Sequence, residues 1–168
     1  MESFLSKSPE ETKNIAGSFA ASLHRNEIIA LIGDLGSGKT QFVKGVCRYF
    51  QVHDLVSSPT FVMLHRYAGR DLQDNELLVY HFDLYRIKAP REILELGYEE
   101  FFHDNGICLI EWADLLGDLT PRDRTEVKFF LGSKENERRI EITKCSEEQN
   151  VSGTPRLEYS ALNEHPRH

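Results

Sequence analysis

Gly33-Asp34-Leu35-Gly36-Ser37-Gly38-Lys39-Thr40 carries the clearest chemistry in the chain. Residue types and spacing match G-x-x-x-x-G-K-[ST], the phosphate-binding P-loop. Glycines at 33, 36 and 38 allow backbone angles that a Cβ would forbid, so successive N–H groups can turn inward around phosphate oxygens. The helix expected next adds the positive end of its dipole at the same place. Lys39 has the reach for the β- and γ-phosphates, and the Thr40 hydroxyl suits a coordination position on Mg²⁺. A chance match in a glycine-rich turn would lack what flanks this one. An apolar run of strand formers, Ile28 to Ile32, precedes it, and Phe42, Val43, Val46, Tyr49 and Phe50 recur at helical spacing after it.

Such a site also needs acids to hold the cation, at the ends of strands beside the loop. Two apolar runs supply one each: Leu77 to Asp83 ends in Asp83, and Ile107 to Glu111 ends in Glu111. A lone strand-end carboxylate is commonly only solvated, but two in a P-loop chain point to one on the metal and one orienting the attacking water. Spacing alone does not assign them. Ser58, Pro59 and Thr60 admit two readings: a simple turn before a strand, or a nucleotide-sensing switch that brings a hydroxyl near the γ-phosphate.

The remaining elements must position these groups. Ser8-Pro9-Glu10-Glu11 reads as a helix start, with Ile15, Phe19 and Leu23 on one face of a helix through His24; Thr12 sits in its first turn. Phe61 to Tyr67 and Leu77 to Tyr85 read as the strands of a hairpin. Pro90 opens a helix whose apolar face holds Ile93, Leu94, Tyr98, Phe101 and Phe102, weakened or kinked at Gly97. Gly106 to Trp112 is a buried strand, and Glu126 to Leu131 and Arg138 to Thr143 make a second hairpin. The pattern predicts one α/β domain, the three-layer P-loop NTPase fold, over residues 1–144, its sheet mostly parallel with antiparallel hairpin additions. Residues 145–168 are polar and poor in large apolar side chains, a tail expected to be disordered.

Composition narrows the function. A net charge of −7 opposes a protein that grips nucleic acid on its own, because phosphate contacts need clustered Lys and Arg. No run approaches a membrane span and no signal-peptide core is visible. The three cysteines are widely spaced and fit free thiols, two of them on apolar faces, rather than disulfides or metal ligands. These features predict a cytoplasmic protein.

Taken together, Gly33 to Thr40, Ser58-Pro59-Thr60-Phe61, His81-Phe82-Asp83-Leu84-Tyr85-Arg86 and Leu109-Ile110-Glu111-Trp112 resemble, in order and spacing, the motifs of the TsaE family. These are small bacterial ATPases needed to make threonylcarbamoyladenosine in tRNA, and the likeness spans about residues 8–144. The resemblance implies that Lys39 and the loop amides bind the phosphates and that Thr40 and Glu111 hold Mg²⁺ brought with ATP. It implies that Asp83 is essential for hydrolysis, near the attacking water or the switch, and that Ser58 to Thr60 sense the nucleotide. Trp112 would stand beside the nucleotide or a partner surface, or serve as a core aromatic, and Thr12 and Arg138 match positions near the adenine. It further implies partners, TsaD and TsaB, with tRNA reached only through that complex and no membrane involved. Ser37 and Gln41 depart from the commoner Ala and Thr without removing a phosphate ligand.

Two other functions fit a P-loop. A small-molecule kinase would recruit Arg66, Arg70, Arg86 or Arg91 to an acceptor pocket, and a nucleotide-gated binding module would use occupancy alone. An N-K-x-D guanine-reading motif does not occur, which disfavours a GTPase.

Overall fold

The computed structural model describes residues 1–58 and 63–146. Twelve elements follow in order: β1 (Glu2–Ser6), α1 (Pro9–Ala20), β2 (Ile28–Ile32), α2 (Lys39–Tyr49), β3 (Leu64–Arg70), β4 (Glu76–Asp83), α3 (Arg91–Glu95), α4 (Tyr98–Phe102), β5 (Ile107–Glu111), a 3₁₀ segment (Ala113–Leu119), β6 (Arg124–Leu131) and β7 (Arg138–Cys145). All seven strands join one sheet in the order β1-β7-β6-β2-β5-β4-β3. The four central strands, β6, β2, β5 and β4, run parallel, and antiparallel partners flank them: β7 then β1 on one side, β3 on the other. The expected hairpins account for β3–β4 and β6–β7.

Side-chain alternation along the central strands separates two cores. Ile29, Leu31, Val79, Ile107, Leu109 and Val127 face α1 and α2, where Ala16, Phe42, Val43 and Val46 complete a dry layer. Ile28, Ala30, Tyr80, Phe82, Cys108 and Ile110 face α3, α4 and the 3₁₀ segment through Ile93, Tyr98, Phe102 and Leu116. Near-continuous apolar sequence in β2 and β5 is what a strand covered on both faces requires. Each large side chain so buried stabilises the fold by about 1.5–3 kcal/mol.

Local signals explain the helix boundaries. Ser8 caps α1, its Oγ accepting from the Glu11 N–H at 3.1 Å, and the Glu11 carboxylate accepts from the Lys7 N–H at 2.6 Å. That helix ends at Ala20, short of the His24 expected, and Leu23 packs on the core from the turn that follows. The single helix expected after Pro90 is two short ones, because Gly97 adopts φ +63° between α3 and α4. β4 stops at Asp83 rather than Tyr85, and β3 (Leu64–Arg70) runs past the Tyr67 expected; its expected start at Phe61 lies, with the rest of 59–62, outside the described residues. The edge strand β1 went unforeseen, since five residues of mixed polarity carry no period of their own. β7 continues through Cys145, and the tail from 147 lies outside the described residues. Cys47 and Cys108 are buried free thiols, both pushed up to about 12 by burial. No helix among the described residues is long and apolar enough to cross a membrane.

Candidate functional site

The loop from Gly33 to Gly38 connects the C-terminal end of β2 to the first turn of α2. Its glycines have different duties. Gly36 and Gly38 sit at φ +74° and +105°, where a side chain is strained. Gly33 does not have a positive φ; it is needed for room, since a Cβ there would lie 2.7 Å from Ser37 Oγ and 2.9 Å from Phe129 Cβ. The angle argument therefore holds for two of the three glycines and must be replaced by close packing at the first.

Lys39 opens α2 and is buried at 4% exposure, its ammonium held at the mouth of the loop. Nζ donates to the carbonyls of Gly33 at 2.6 Å and Asp34 at 2.8 Å, and it lies 3.9 Å from the centre of the Trp112 ring. Burial pushes the Lys39 pKa below the ordinary lysine value, opposed by the negative charges of Glu111, Asp83, Asp114 and Asp34.

The acids arrive by strand register. Asp83 and Glu111 are directly paired across the parallel β4–β5 ladder, at strand ends beside the loop. Both occupy positions that alternate with Phe82 and Ile110, so they leave the sheet on the α2 side. The Thr40 hydroxyl donates to the Glu111 carboxylate, 2.9 Å from Oε1 and 3.1 Å from Oε2. On Asp83, Oδ2 accepts from the Ser58 hydroxyl and Oδ1 from the Tyr85 N–H at 3.0 Å. The Ser58 segment is thus tied to the same acid that faces the loop, while Pro59 and Thr60 lie outside the described residues.

These groups line one cavity of about 610 Å³, open between the loop, the end of β4 and the end of β5. Leu35, Gly36, Ser37, Gly38, Lys39 and Thr40 form its loop wall, with Ser58, Asp83, Glu111 and Trp112 opposite. Tyr85, whose ring centre lies 5.0 Å from that of Trp112, joins the lining with Arg86, Met63 and Glu92. Trp112 adopts φ +59°, a left-handed turn that ends β5 and starts the 3₁₀ segment. Thr12 and Arg138 contact the loop without lining the cavity. The Thr12 methyl lies against Gly38 while its hydroxyl shares a 2.8 Å hydrogen bond with Ser6, and Arg138 Nη2 donates to the Gly36 carbonyl at 3.1 Å. Thr12 is only 2% exposed, packed between β1 and the loop.

Oxygen donors with a single hydroxyl and one carboxylate in contact suit Mg²⁺, which keeps several waters and takes its other ligands from substrate phosphates. An all-protein metal cage is not built here: among the described residues no group of three His, Cys, Asp or Glu is arranged to hold a metal. Met63 and Glu92 on the walls were missed from sequence; Tyr85 and His81 stood in a quoted motif without a role of their own, and Arg86 was offered only for a kinase acceptor pocket. For His81 the signal was available, because it lies two residues before Asp83 and a strand returns to the same face every second residue.

Comparison with known proteins places the chain. The family model described as Threonylcarbamoyl adenosine biosynthesis protein TsaE matches residues 6–140. A tRNA threonylcarbamoyladenosine biosynthesis protein TsaE from Rickettsia bellii is 44% identical over 125 residues, covering 74% of this chain and 83% of the relative. The protein of the same name from Bacillus subtilis is 38% identical over 135 residues, 80% of each. The crystal structure of Bacillus subtilis YdiB superposes with a TM-score of 0.70 at 31% identity, covering 88% of this chain and 87% of that one. With a family model spanning the four parallel strands and the whole cavity, and relatives matched over most of their length, the chain belongs to the TsaE family of threonylcarbamoyladenosine biosynthesis proteins.

Proposed function

We propose that this protein is a Mg²⁺-dependent ATPase of the P-loop NTPase fold, acting in formation of threonylcarbamoyladenosine in tRNA. The observation that carries the reading is the hydrogen bond from Thr40 to Glu111 at the floor of the phosphate loop, with Asp83 paired to Glu111 across the sheet. Family membership supplies the biosynthetic context.

The residues divide the work by position. The amides of the loop and the Lys39 ammonium bind the phosphate chain. Thr40 donates its hydroxyl proton to Glu111, which leaves the Oγ lone pairs for a cation, and Glu111 supplies the matching negative charge. Bound Mg²⁺ would neutralise charge accumulating on the β- and γ-phosphate oxygens. Asp83 orients the water that attacks the γ-phosphorus in line, giving ADP and inorganic phosphate. Its link to Ser58 connects that step to the segment 58–60, which senses the nucleotide. The Trp112 ring, with Tyr85 packed on it, covers the Lys39 ammonium, whose charge acts at higher strength away from bulk water.

The protein acts with TsaD and TsaB, and tRNA is met only through that complex. A net charge of −7 supports docking on protein rather than on RNA backbone. The test is phosphate release from ATP by the purified chain, alone and with TsaD and TsaB. Weak turnover alone, a clear rise with the partners and loss in both Lys39→Ala and Glu111→Gln is the expected result. Phosphate appearing on an added metabolite, without stimulation by the partners, would overturn it in favour of a small-molecule kinase.

A further inference from the structure

The chemistry proposed above gives no task to a fully buried polar side chain that touches Glu111. His81 is fully buried on β4 and does not line the cavity, yet its Nε2 lies 2.9 Å from Glu111 Oε1. His81 follows Leu77 and Val79 at the two-residue period of the strand, so it projects toward α2, on the same face as Asp83. Behind it the Tyr67 ring packs with centres 6.3 Å apart, and the Tyr67 hydroxyl donates to the Ser57 carbonyl at 3.3 Å and meets His65 Nδ1 at 3.0 Å. The imidazole is therefore fixed on one side by an aromatic tied to the segment before Ser58, and on the other by the carboxylate that Thr40 also contacts.

The proton can be placed by elimination. An ionised carboxylate only accepts, so a hydrogen bond between Nε2 and Glu111 requires the proton on Nε2. Among the described residues Nδ1 has no partner. His81 then donates to Oε1, and Thr40 donates to the same carboxylate. Thr40 sits on the first turn of α2, whereas His81 is held in a closed core. Among the described residues the imidazole is the carboxylate's one hydrogen-bond partner from a neighbouring strand.

We infer that His81 is a positioning residue for the Mg²⁺–nucleotide centre: its Nε2–H fixes the plane of the Glu111 carboxylate that Thr40 and the cation share. This rests on the ATPase reading above. An imidazole that only fills space behind Tyr67 would be replaced equally well by any side chain of similar size, whereas a positioning donor is replaced only by a group that puts an N–H at the Nε2 position. His81→Gln carries its amide nitrogen to about that place. His81→Asn carries the same amide only as far as Nδ1 and cannot reach Glu111. His81→Phe keeps the ring and removes the donor.

The experiment is calorimetric binding of a non-hydrolysable ATP analogue to the full chain across a Mg²⁺ titration, with melting temperatures of the ligand-free proteins alongside. In wild type, Mg²⁺ tightens binding. The expected result is that His81→Asn and His81→Phe raise the Mg²⁺ needed for half of that gain by about tenfold or more, with affinity in EDTA unchanged. His81→Gln stays close to wild type. Should His81→Asn fail to fold, His81→Phe carries the comparison. Equal effects of Gln and Asn, or a loss of melting temperature with no change in the Mg²⁺ requirement, would overturn the inference. Glu111→Gln separates the two layers of argument. If it leaves the Mg²⁺ requirement at the wild-type value, the ATPase reading falls and takes the inference with it. If Glu111→Gln raises the requirement while His81→Asn and His81→Phe do not, only the role of His81 falls.

Discussion

At the scale of single residues, the site depends on keeping an ammonium ion in a place that disfavours it. Lys39 is buried, its pKa is depressed by that burial, and its compensation comes from two loop carbonyls, the nearby acids and the face of Trp112. A cation over an aromatic face gains about 0.5–2 kcal/mol, the upper end when water is excluded. Trp112→Leu should accordingly weaken ATP binding about 2- to 30-fold by calorimetry, with Trp112→Phe losing less, because Phe keeps a ring face under Nζ. Unchanged affinity in Trp112→Leu would make the ring a bystander. The phosphate loop, Asp83 and Glu111 were all legible in the sequence, since each is marked by a residue type at a fixed distance from a strand end. Trp112 remained open between two roles, because a sequence does not say that the residue after β5 turns into the left-handed region and swings its ring over the loop. Gly33 was read for the wrong reason: nothing local reveals that Phe129, nearly a hundred residues away, packs against it.

At the scale of elements, the approach of α1 to α2 decides where the loop stands, because α2 begins at Lys39. The two helices meet at Gly45. A Cβ on Gly45 would lie 2.4 Å from the Lys13 carbonyl and 2.6 Å from Ala16 Cβ, whereas one on Gly17 meets nothing nearer than 3.8 Å. Removing a glycine from a helix interior stabilises by roughly 0.5–1 kcal/mol when there is room. Gly17→Ala should therefore raise stability by about that amount, while Gly45→Ala, which must push the helix backbones apart, should lower it by about 1–3 kcal/mol in urea unfolding. An exposed pair adds a lesser tether: Arg48 on α2 bonds Glu10 of α1, which also pairs with Lys13 within α1, the Arg48 hydrogen bond foremost in holding the Glu10 carboxyl down to about 2. Strong periodic segments such as β2, α2 and β5 could be read from the chain. β1, the split of α3 from α4 and the early end of α1 could not, because they depend on a neighbour's surface or a single backbone angle rather than on a pattern.

For the molecule as a whole, ligand binding is linked to stability. A ligand that binds only the folded state adds about 2.7 kcal/mol at a hundred times its dissociation constant. For a domain of this size that corresponds to roughly 5–10 °C in melting temperature. Mg²⁺ with ATP should produce such a rise in wild type, and Lys39→Ala should abolish it; an equal rise in both would place the nucleotide elsewhere. The fold class was legible from the alternation of strand and helix signals, and the antiparallel hairpins from their turns. The order of strands was not, since it is fixed by which edges remain when the two cores close. That order has a consequence for biogenesis. β1 leaves the ribosome before the other strands, yet its partner in the sheet is β7, the last strand among the described residues. Ser6, which bonds Thr12 under the loop, and Arg138, which grips Gly36, therefore reach their places together and late. During synthesis the loop from Gly33 to Thr40 emerges early but lacks these two supports until β7 is made, so on the reading proposed above the growing chain would complete its nucleotide site only after β7 has emerged.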